Sequence, residues 1–288
     1  MWIPFYNSWT GSNQKKASKL LKTNAGIGLE TLVGAYQPQE TNLPELLKVV
    51  PVSADMLEVD NLGNAYLITG DEVVRYSKDG NANRDLSYSD KTLGTIYSLD
   101  VSQPLKLLLF YKELSQVAFL DNKLSIRGEP VALDELGYEQ AALACSAFDN
   151  GMWIYDQLTF ELIRLDRNLK EQFRSGNINQ LVRKVVQPNF VIEANNWVYL
   201  NDPSLGILVF DSFGTYYKTL PIKNLKHFQI TDPILFFDRG EGLETFHLKR
   251  LEFGNVELPE LNFRQFGVSK DRLIFLSDEG LHFYRWPT

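Results

Sequence analysis

The stretch WVYLNDPSLGILVFDSFGTYYKTL, from Trp197 to Leu220, decides the fold of this chain because it reads as three short strands joined by two tight turns. Alternating apolar residues lead into the first turn, at Asn201 to Ser204. A second apolar run, Ile207 to Phe210, leads into Asp211-Ser212-Phe213-Gly214. There glycine supplies the positive φ of a hairpin turn and aspartate bonds its own backbone. A small sheet of this kind cannot cover its own faces, so it must stack on similar sheets.

The same unit recurs along most of the sequence. One strand of each unit can be aligned on a single anchor residue, and consecutive anchors lie 38 to 45 residues apart. The anchors are Tyr66, Leu108, Trp153, Trp197, Leu235 and Ile274. A period of about 40 residues built from short strands is typical of a β-propeller. The six units therefore predict six blades.

The two ends of the repeat predict how the ring closes. The sixth unit has an innermost strand near Phe263 to Ser269 and two more strands before Thr288. Leu46 to Ser53 (LLKVVPVS) precedes the first unit and has no sheet of its own. We expect it to pair as the outermost strand of the last blade, because this pairing removes two open sheet edges. The predicted fold is an all-β, six-bladed β-propeller over residues 43–288, closed by this N-terminal strand and preceded by an extension or arm, residues 1–42.

Composition narrows the possible functions. Hydrophobic residues make up 44% of the chain and aromatic residues 12%, which excludes disorder for most of it. The net charge of −7 opposes a nucleic-acid partner, since phosphate binding depends on clustered Lys and Arg. No apolar run approaches the roughly 18 residues of a membrane span, and no secretory signal is recognisable. Cys145, the single cysteine, lies in the apolar run AALACSAF, so we interpret it as a buried small hydrophobic residue and not as a nucleophile.

The first ten residues, MWIPFYNSWT, hold four aromatic side chains without a helical or strand period. They suit either an arm whose aromatic groups anchor a partner or a segment folded back over the propeller. We favour the second interpretation, because exposed aromatic groups need covering. The candidate partner-binding residues of this sequence are nevertheless Trp2, Phe5, Tyr6 and Trp9.

The run NNWVYLNDPSLGILVFDSFG (Asn195 to Gly214) resembles an NHL-type blade, with its hydrophobic-Y-hydrophobic opening and its hydrophobic-F-D-x-x-G close. DNLGNAYLITGDEVVRYSKDG (Asp60 to Gly80) is similar, and LIRLDRNL (Leu162 to Leu169) keeps the second half of the pattern. More loosely, the chain is similar to six-bladed propellers of the cell envelope of Bacteroidota, including the plug subunits of the type 9 secretion translocon. This resemblance implies a protein partner, such as an outer-membrane or secretion complex, and a periplasmic or cell-envelope location.

The resemblance to six-bladed propellers also implies a possible metal site. Lactonase-like propellers hold a divalent cation on the central axis with Glu, Asn and Asp side chains, and such oxygen ligands suit Ca²⁺ or Mg²⁺. Five carboxylates lie at or near the ends of the predicted inner strands, although acidic residues are also ordinary turn formers and none matches the lactonase pattern at a local motif. These carboxylates are Glu58, Asp60, Asp100, Glu193 and Asp232.

The amidating-lyase type of propeller would require axial histidines on zinc. The chain has three histidines, His227, His247 and His282. The strand alternation sends the last two to different faces, so we interpret all three as scattered packing or surface residues. Arg75 and Arg164 occupy equivalent repeat positions, which indicates blade packing and not an anion site.

The sequence therefore predicts a non-enzymatic protein-interaction module, a subunit of a cell-envelope complex such as a protein secretion translocon, without catalytic residues, metal or cofactor. The alternative is a metal-dependent lactonase or esterase-like hydrolase with an axial cation. Besides the aromatic arm, we expect contacts on two long segments that exceed a tight turn, Asn81 to Gly94 and Gly128 to Glu139.

Overall fold

The computed structural model describes residues 43–286, with the side chains of residues 83–85 left out. Its strands form six four-stranded antiparallel sheets, which are the six blades of a β-propeller. The predicted fold class is therefore confirmed. The predicted arm with Trp2, Phe5, Tyr6 and Trp9 lies outside the described residues, so its partner-binding function and its boundary at residue 42 stay predictions.

Each blade runs from an innermost strand at the axis to an outermost strand at the rim. The innermost strands are β2 (Met56–Val59), β6 (Ser98–Asp100), β10 (Ala141–Ser146), β14 (Phe190–Ala194), β18 (Phe228–Thr231) and β22 (Gln265–Val268). The second strands are β3 (Ala65–Thr69), β7 (Leu107–Tyr111), β11 (Met152–Asp156), β15 (Trp197–Asp202), β19 (Ile234–Asp238) and β23 (Arg272–Leu276). The third strands are β4 (Glu72–Tyr76), β8 (Gln116–Leu120), β12 (Glu161–Leu165), β16 (Gly206–Asp211), β20 (Leu243–His247) and β24 (Leu281–Arg285). The outermost strands are β5 (Ala82–Ser89), β9 (Val131–Ala132), β13 (Glu171–Arg174), β17 (Tyr216–Leu220), β21 (Glu252–Asn255) and, in the last blade, β1 (Glu45–Val50).

The fourth blade shows how local chemistry sets the turns. Strand β15 continues to Asp202, one residue beyond the predicted start of the turn, and Asp202 Oδ1 then accepts the backbone N–H of Ser204 at 2.7 Å and of Leu205 at 2.9 Å. After β16, Asp211 Oδ1 accepts the N–H groups of Phe213 and Thr215. Gly214 follows with φ +81, as predicted for this hairpin.

The core is divided among the gaps between blades. Six clusters of buried apolar residues each join two neighbouring blades, and the cluster between blades 3 and 4 packs Cys145 and Trp153 against Val198 and Phe210. Cys145 is 1% exposed, which agrees with its interpretation as a buried hydrophobic residue. Because each cluster needs both of its blades, the ring is stabilised as a unit.

The ring is closed by its first described strand. β1 pairs antiparallel with β24, with Leu46 opposite Tyr284 and Val50 opposite Leu281. Leu47 and Val50 also pack on the cluster between the last and first blades, which contains Phe283. The predicted closure is confirmed, with the strand spanning Glu45–Val50 and not extending to Ser53.

The two long segments expected to carry partner contacts differ in structure, and the contacts themselves stay a prediction. Most of Asn81 to Gly94 is β5, the outermost strand of the first blade. Its sequence, ANRDLSYS, is polar because an outermost strand has an open edge and few apolar neighbours. The second segment, Gly128 to Glu139, holds only the two-residue strand β9 and is otherwise turn or loop.

The strand connections define two faces of the ring. In each blade, the turn from the innermost to the second strand lies at one end of the ring. The turn from the third to the outermost strand lies at the same end. We call this end the inner-turn face. The opposite face carries the remaining turns and the connections between blades, including the 3-10 helix Lys112–Leu114 and the short helix α1, Ile178–Val182. Neither of these two helices, within residues 43–286, has the length and apolar character to cross a membrane.

Candidate functional site

A central channel of about 1280 Å³ follows the axis of the ring. Its lining includes Asn61 and Gln103 from the inner-turn face and Lys226 and Arg239 from the opposite face, so it reaches both faces. The walls between them are the six innermost strands. This is where the sequence places the candidate carboxylates.

Strand alternation directs polar groups into the channel. In β2, Leu57 and Val59 are buried between blades, whereas Glu58 lines the channel. In β6, Leu99 is buried in the same way and Asp100 lines the channel. The period of two in a strand thus gives Glu58 and Asp100 a different face from the buried Leu57 and Leu99.

Two of the predicted carboxylates hold the third blade from either side. Asp100 Oδ2, in blade 2, accepts the N–H of Ser146 at 2.6 Å, and its Oδ1 accepts that of Ser102 at 2.7 Å. Glu193, in blade 4, accepts the Trp153 indole N–H on Oε2 at 2.6 Å and the Phe148 N–H on Oε1 at 3.3 Å. Burial raises the pKa of both carboxyl groups, and these donors oppose the rise. Both side chains therefore join neighbouring blades.

Two glutamines, which the sequence analysis missed, do the same elsewhere in the ring. Gln229 accepts the Val268 N–H at 2.6 Å and donates to the Val268 carbonyl at 2.7 Å. Gln265 accepts the Leu57 N–H at 2.5 Å and donates to the Asp55 carbonyl at 3.0 Å. These bonds connect blade 5 to blade 6 and blade 6 to blade 1. A polar residue inside an otherwise apolar innermost strand was the available signal.

The structure separates Asp60 and Asp232 from this group. Asp60 shapes the turn after β2, where its carboxylate accepts the N–H groups of Leu62 at 3.0 Å and Asn64 at 2.8 Å. Asp232 lies at the channel mouth, is partly exposed and has its carboxylate 3.8 Å from Lys249 Nζ. Asp60 is thus a turn former and Asp232 a surface residue. Both agree with the interpretation that acidic residues at strand ends form turns and do not bind metal.

Glu58 and His227 form the one pair of titratable groups that meet across the channel in the described part of the chain. Glu58 Oε1, in blade 1, lies 3.7 Å from His227 Nε2, which precedes β18 of blade 5. Burial, followed by the nearby charge of Asp100, raises the pKa of Glu58 well above its ordinary value. Burial lowers the pKa of His227 to about 4. The Phe190 ring packs on one side of the imidazole at a centroid distance of 4.6 Å, while both side chains stay partly exposed to the channel. The directions of both pKa shifts favour the uncharged forms of the pair.

The remaining histidines do not approach this pair. His247 Nδ1 accepts the N–H groups of Lys249 and Arg250, both at 3.2 Å, in a turn of blade 5. His282 is buried under the closing strand, with its Nε2 2.8 Å from Ser277 Oγ. The three histidines therefore do not converge.

The axial donors do not fit a divalent cation. Within residues 43–286 no three His, Cys, Asp or Glu side chains are grouped so that they could hold a metal ion. Asp100 and Glu193 already accept N–H groups from the neighbouring blade, and a cation would have to compete with those donors. Burial also raises the pKa of the Cys145 thiol well above its usual range, which opposes a thiolate nucleophile.

The two repeat-equivalent arginines lie in packing contacts. Arg164 is 2% exposed, donates to the Leu165 carbonyl at 2.6 Å and pairs with Asp149. Arg75 Nη1 donates to the Asn122 carbonyl of the next blade at 2.5 Å. Neither guanidinium is directed at an anion site.

No family model matches the chain, and no curated protein matches it in sequence. Solved propeller structures do match. A gluconolactonase from Xanthomonas campestris aligns with a TM-score of 0.58 at 13% identity, over 86% of this chain and 96% of that one. A chain of the mitotic checkpoint complex aligns at 0.56 and 12% identity, over 92% and 99%. A virginiamycin B lyase from Staphylococcus aureus aligns at 0.52 and 11% identity, over 83% of each chain. At these identities the likeness concerns the fold alone.

Proposed function

We propose that this chain is a non-enzymatic protein-interaction module that belongs to a cell-envelope complex, such as a protein secretion translocon. The observation that carries the proposal is a series of exposed apolar side chains on the inner-turn face of four consecutive blades. Each of them is 60–70% exposed: Leu62, Leu105, Phe148 and Phe213. Exposed apolar side chains that share one face of a protein mark a surface that another protein can cover.

The fold does not require these side chains to be apolar. In the turns at Leu62 and Phe213, Asp60 and Asp211 accept the backbone N–H groups, and the glycines that follow have positive φ. A polar residue at either tip would leave those turn interactions intact. The Phe213 ring packs on Phe173 of blade 3 at a centroid distance of 5.2 Å, and most of its surface stays exposed. Exposed apolar side chains at these tips are open to a partner, and rigid scaffolds that carry loops suit recognition.

The state of the channel supports the same proposal. Asp100, Glu193, Gln229 and Gln265 bridge blades, and this use of their polar atoms makes the axis a structural element of the ring. The resemblance of Asn195 to Gly214 to an NHL-type blade supports a binding function. The looser likeness to cell-envelope propellers is the support for a periplasmic or cell-envelope location.

Affinity purification in mild detergent tests the proposal. The full chain, tagged at its C-terminus, is recovered from its native organism beside a variant with Leu62→Asp, Phe148→Asp and Phe213→Asp. We expect a stable partner with the parent chain and a several-fold smaller yield of that partner with the variant. Recovery of the parent chain as a lone monomer would contradict an interaction function, and fractionation of the same cells tests the location.

A second candidate function is hydrolysis of an ester or lactone in the channel. The Glu58–His227 pair favours it, because a carboxylic acid and a neutral imidazole 3.7 Å apart offer a proton donor and a proton acceptor in an apolar setting. Turnover of simple lactones or aryl esters that disappears in Glu58→Gln and His227→Gln, but not in the exposed control Glu113→Gln, would favour this candidate. If the parent chain and all three variants turned over these substrates at the same rate, this candidate function would be ruled out.

A further inference from the structure

One part of the inner-turn face combines apolar exposure with positive charge. Leu105 is 70% exposed, Phe148 63% and Ile126 43%. Leu105 lies in the turn between β6 and β7 of blade 2, and Phe148 in the turn between β10 and β11 of blade 3. Ile126 lies between β8 and β9 of blade 2. Together with Lys106, Lys123 and Arg127 they make up a surface that we call the blade 2–3 patch.

Contacts within and between the two blades join the turns of Leu105 and Phe148 with the segment of Arg127. Lys106 Nζ, in blade 2, donates to the Asn150 carbonyl of blade 3 at 2.5 Å, and Gln103 donates to the Ala147 carbonyl. Arg127 Nη1 donates to the Leu105 carbonyl at 3.1 Å. Lys106 Nζ also lies 3.9 Å from the centroid of the Phe119 ring. The turns that carry Leu105 and Phe148 are thus held side by side.

Phe148 is an anchor that is fixed before any partner arrives. Its backbone N–H is bonded to Glu193 from blade 4, and its ring lies 5.8 Å from the guanidinium carbon of Arg164. Arg164 is buried and is itself held by carbonyl groups. An exposed aromatic ring on so constrained a backbone loses little conformational entropy on binding, which is the property of an interface hot spot.

The charges around these apolar groups are mainly positive. Lys106, Lys123 and Arg127 make no ion pair closer than 4.0 Å among residues 43–286. Of the carboxylates next to them, Asp149 is paired with Arg164, whereas Asp121 accepts the N–H groups of its own turn and keeps a negative charge that acts on Lys123 and Arg127. Glu129 follows in the same segment and is exposed. The three cations outnumber the carboxylates of Asp121 and Glu129, and this small positive excess on a chain of net charge −7 favours negative groups locally.

We propose that the blade 2–3 patch docks a segment of a partner protein in which an aromatic or aliphatic side chain is flanked by Asp or Glu. The apolar side chain packs against Phe148 and Leu105, while the carboxylates meet Lys106, Lys123 and Arg127. This proposal rests on the proposed interaction function and specifies the chemistry of its partner. The net negative charge of the chain favours a protein segment over an anionic membrane surface, which would repel the rest of the molecule.

A random-peptide display library selected on the full chain tests the patch. The peptides that bind are synthesised, and their affinities are measured by fluorescence polarisation at low and high salt. We expect the selected sequences to combine an apolar residue with Asp or Glu. We expect affinity to fall at least tenfold in Phe148→Ala, several-fold in Lys123→Glu with Arg127→Glu, and several-fold at high salt, because exposed charges are screened. Leu158→Ala, at a residue 60% exposed on the opposite face, is the matched control and should bind like the parent.

The outcomes separate the patch from the wider function. Peptides that bind equally well to Phe148→Ala, or that lack carboxylates, overturn the patch but leave an interaction function elsewhere on the chain. Binding to phosphatidylglycerol vesicles that the charge reversals abolish, without peptide selection, overturns it in favour of a membrane surface. Failure to select any peptide, together with recovery of a lone monomer from cells, overturns both proposals. Circular dichroism melts of each variant confirm that the fold is kept.

Discussion

Glu193 Oε2 accepts a hydrogen bond of 2.6 Å from the indole N–H of Trp153, a residue of the preceding blade that is fully buried. The pair is 40 residues apart in the chain, which is close to one repeat. A carboxylate that the hydrolase alternative would use as a metal ligand instead accepts hydrogen bonds from the neighbouring blade. This relationship predicts what substitutions at Glu193 do.

Glu193→Ala should lower the free energy of unfolding by about 2–3 kcal/mol, because the Trp153 indole N–H and the Phe148 N–H lose a charged acceptor. Glu193→Gln should cost less, about 1 kcal/mol, since the amide oxygen still accepts one of the two bonds. Urea denaturation followed by tryptophan fluorescence measures both. A metal-ligand function for Glu193 predicts the reverse, with unchanged stability and a loss of bound Ca²⁺ or Mg²⁺ in the Gln variant.

Glu58→Gln should stabilise the chain at alkaline pH. The pKa of Glu58 is raised in the folded state, so the folded chain binds more protons than the unfolded chain between the two pKa values. The free energy of unfolding therefore falls as pH rises between the two pKa values. Above the folded-state pKa, the chain bears the full cost of holding the Glu58 carboxylate charged in its buried site. We expect the advantage of Glu58→Gln in Tm to be largest near pH 8 and to shrink toward pH 4. The exposed control Glu113→Gln should show a flat difference, and an equally flat difference for Glu58→Gln would contradict the argument.

His227 should produce the opposite pH dependence. Its pKa is lowered to about 4 by burial, so below its ordinary pKa the unfolded chain takes up a proton more readily than the folded one. Its contribution to stability is present above about pH 6.5 and is lost as pH falls toward 4. His227→Phe keeps a ring against Phe190 and removes the titration, so melts from pH 7 to 4 should decline less steeply than those of the parent. If the Tm of both chains fell equally steeply from pH 7 to 4, groups other than His227 would govern the loss of stability in acid.

The sequence predicted the ring because the second strands carry its strongest signal. Leu107–Tyr111 and Met152–Asp156 are buried at every position, and runs of that kind recur with the repeat. Apart from Tyr216–Leu220, the third strand of the opening stretch, the outermost strands could not be recognised in the same way. All four residues of Glu171–Arg174 are exposed, so burial leaves no apolar pattern there. The closing strand was recognisable because Leu46 to Val50 is apolar and had no sheet of its own.

The sequence places the axial carboxylates but does not reveal their hydrogen-bond partners. Alternation along β2 and β6 places Glu58 and Asp100 at the axis, and this much follows from the sequence. What Asp100 bonds to does not follow, because Ser146 is 46 residues away and lies on another blade. Gln229 bonds to Val268 across a similar separation of 39 residues. Polar side chains that pair about one repeat apart depend on how blades pack side by side, which the strand pattern of a single blade does not contain.

Gly267 should be intolerant of a side chain. A Cβ added there would collide with the side chain of Val59, which is 4% exposed in the neighbouring blade. Gly267→Ala should therefore cost about 1–3 kcal/mol by overpacking. Val59→Ala removes the methyl carbon closest to the added Cβ but keeps the Val59 Cβ, which would lie 2.5 Å away, so it relieves only part of the collision. The double variant should therefore be less destabilised than the sum of the two single variants by about 1 kcal/mol. Chemical denaturation of the four chains measures this coupling, and strict additivity would show that blade 6 and blade 1 relax independently.

Loss of β1 should destabilise the whole ring and not one blade. Leu47 and Val50 pack on the core cluster between the last and first blades, and the ladder from Glu45 to Val50 covers the edge of β24. A chain that begins at Pro51 loses both, whereas one that begins at Leu43 keeps them and is the matched control. We expect a loss of about 3–5 kcal/mol, equivalent to a fall in Tm of about 10 °C for a domain of this size, in a single cooperative transition. Calorimetry of the two chains measures the difference, and light scattering should show association of the shorter one through its open edge. Equal melting temperatures would mean that the contacts between blades close the ring without β1.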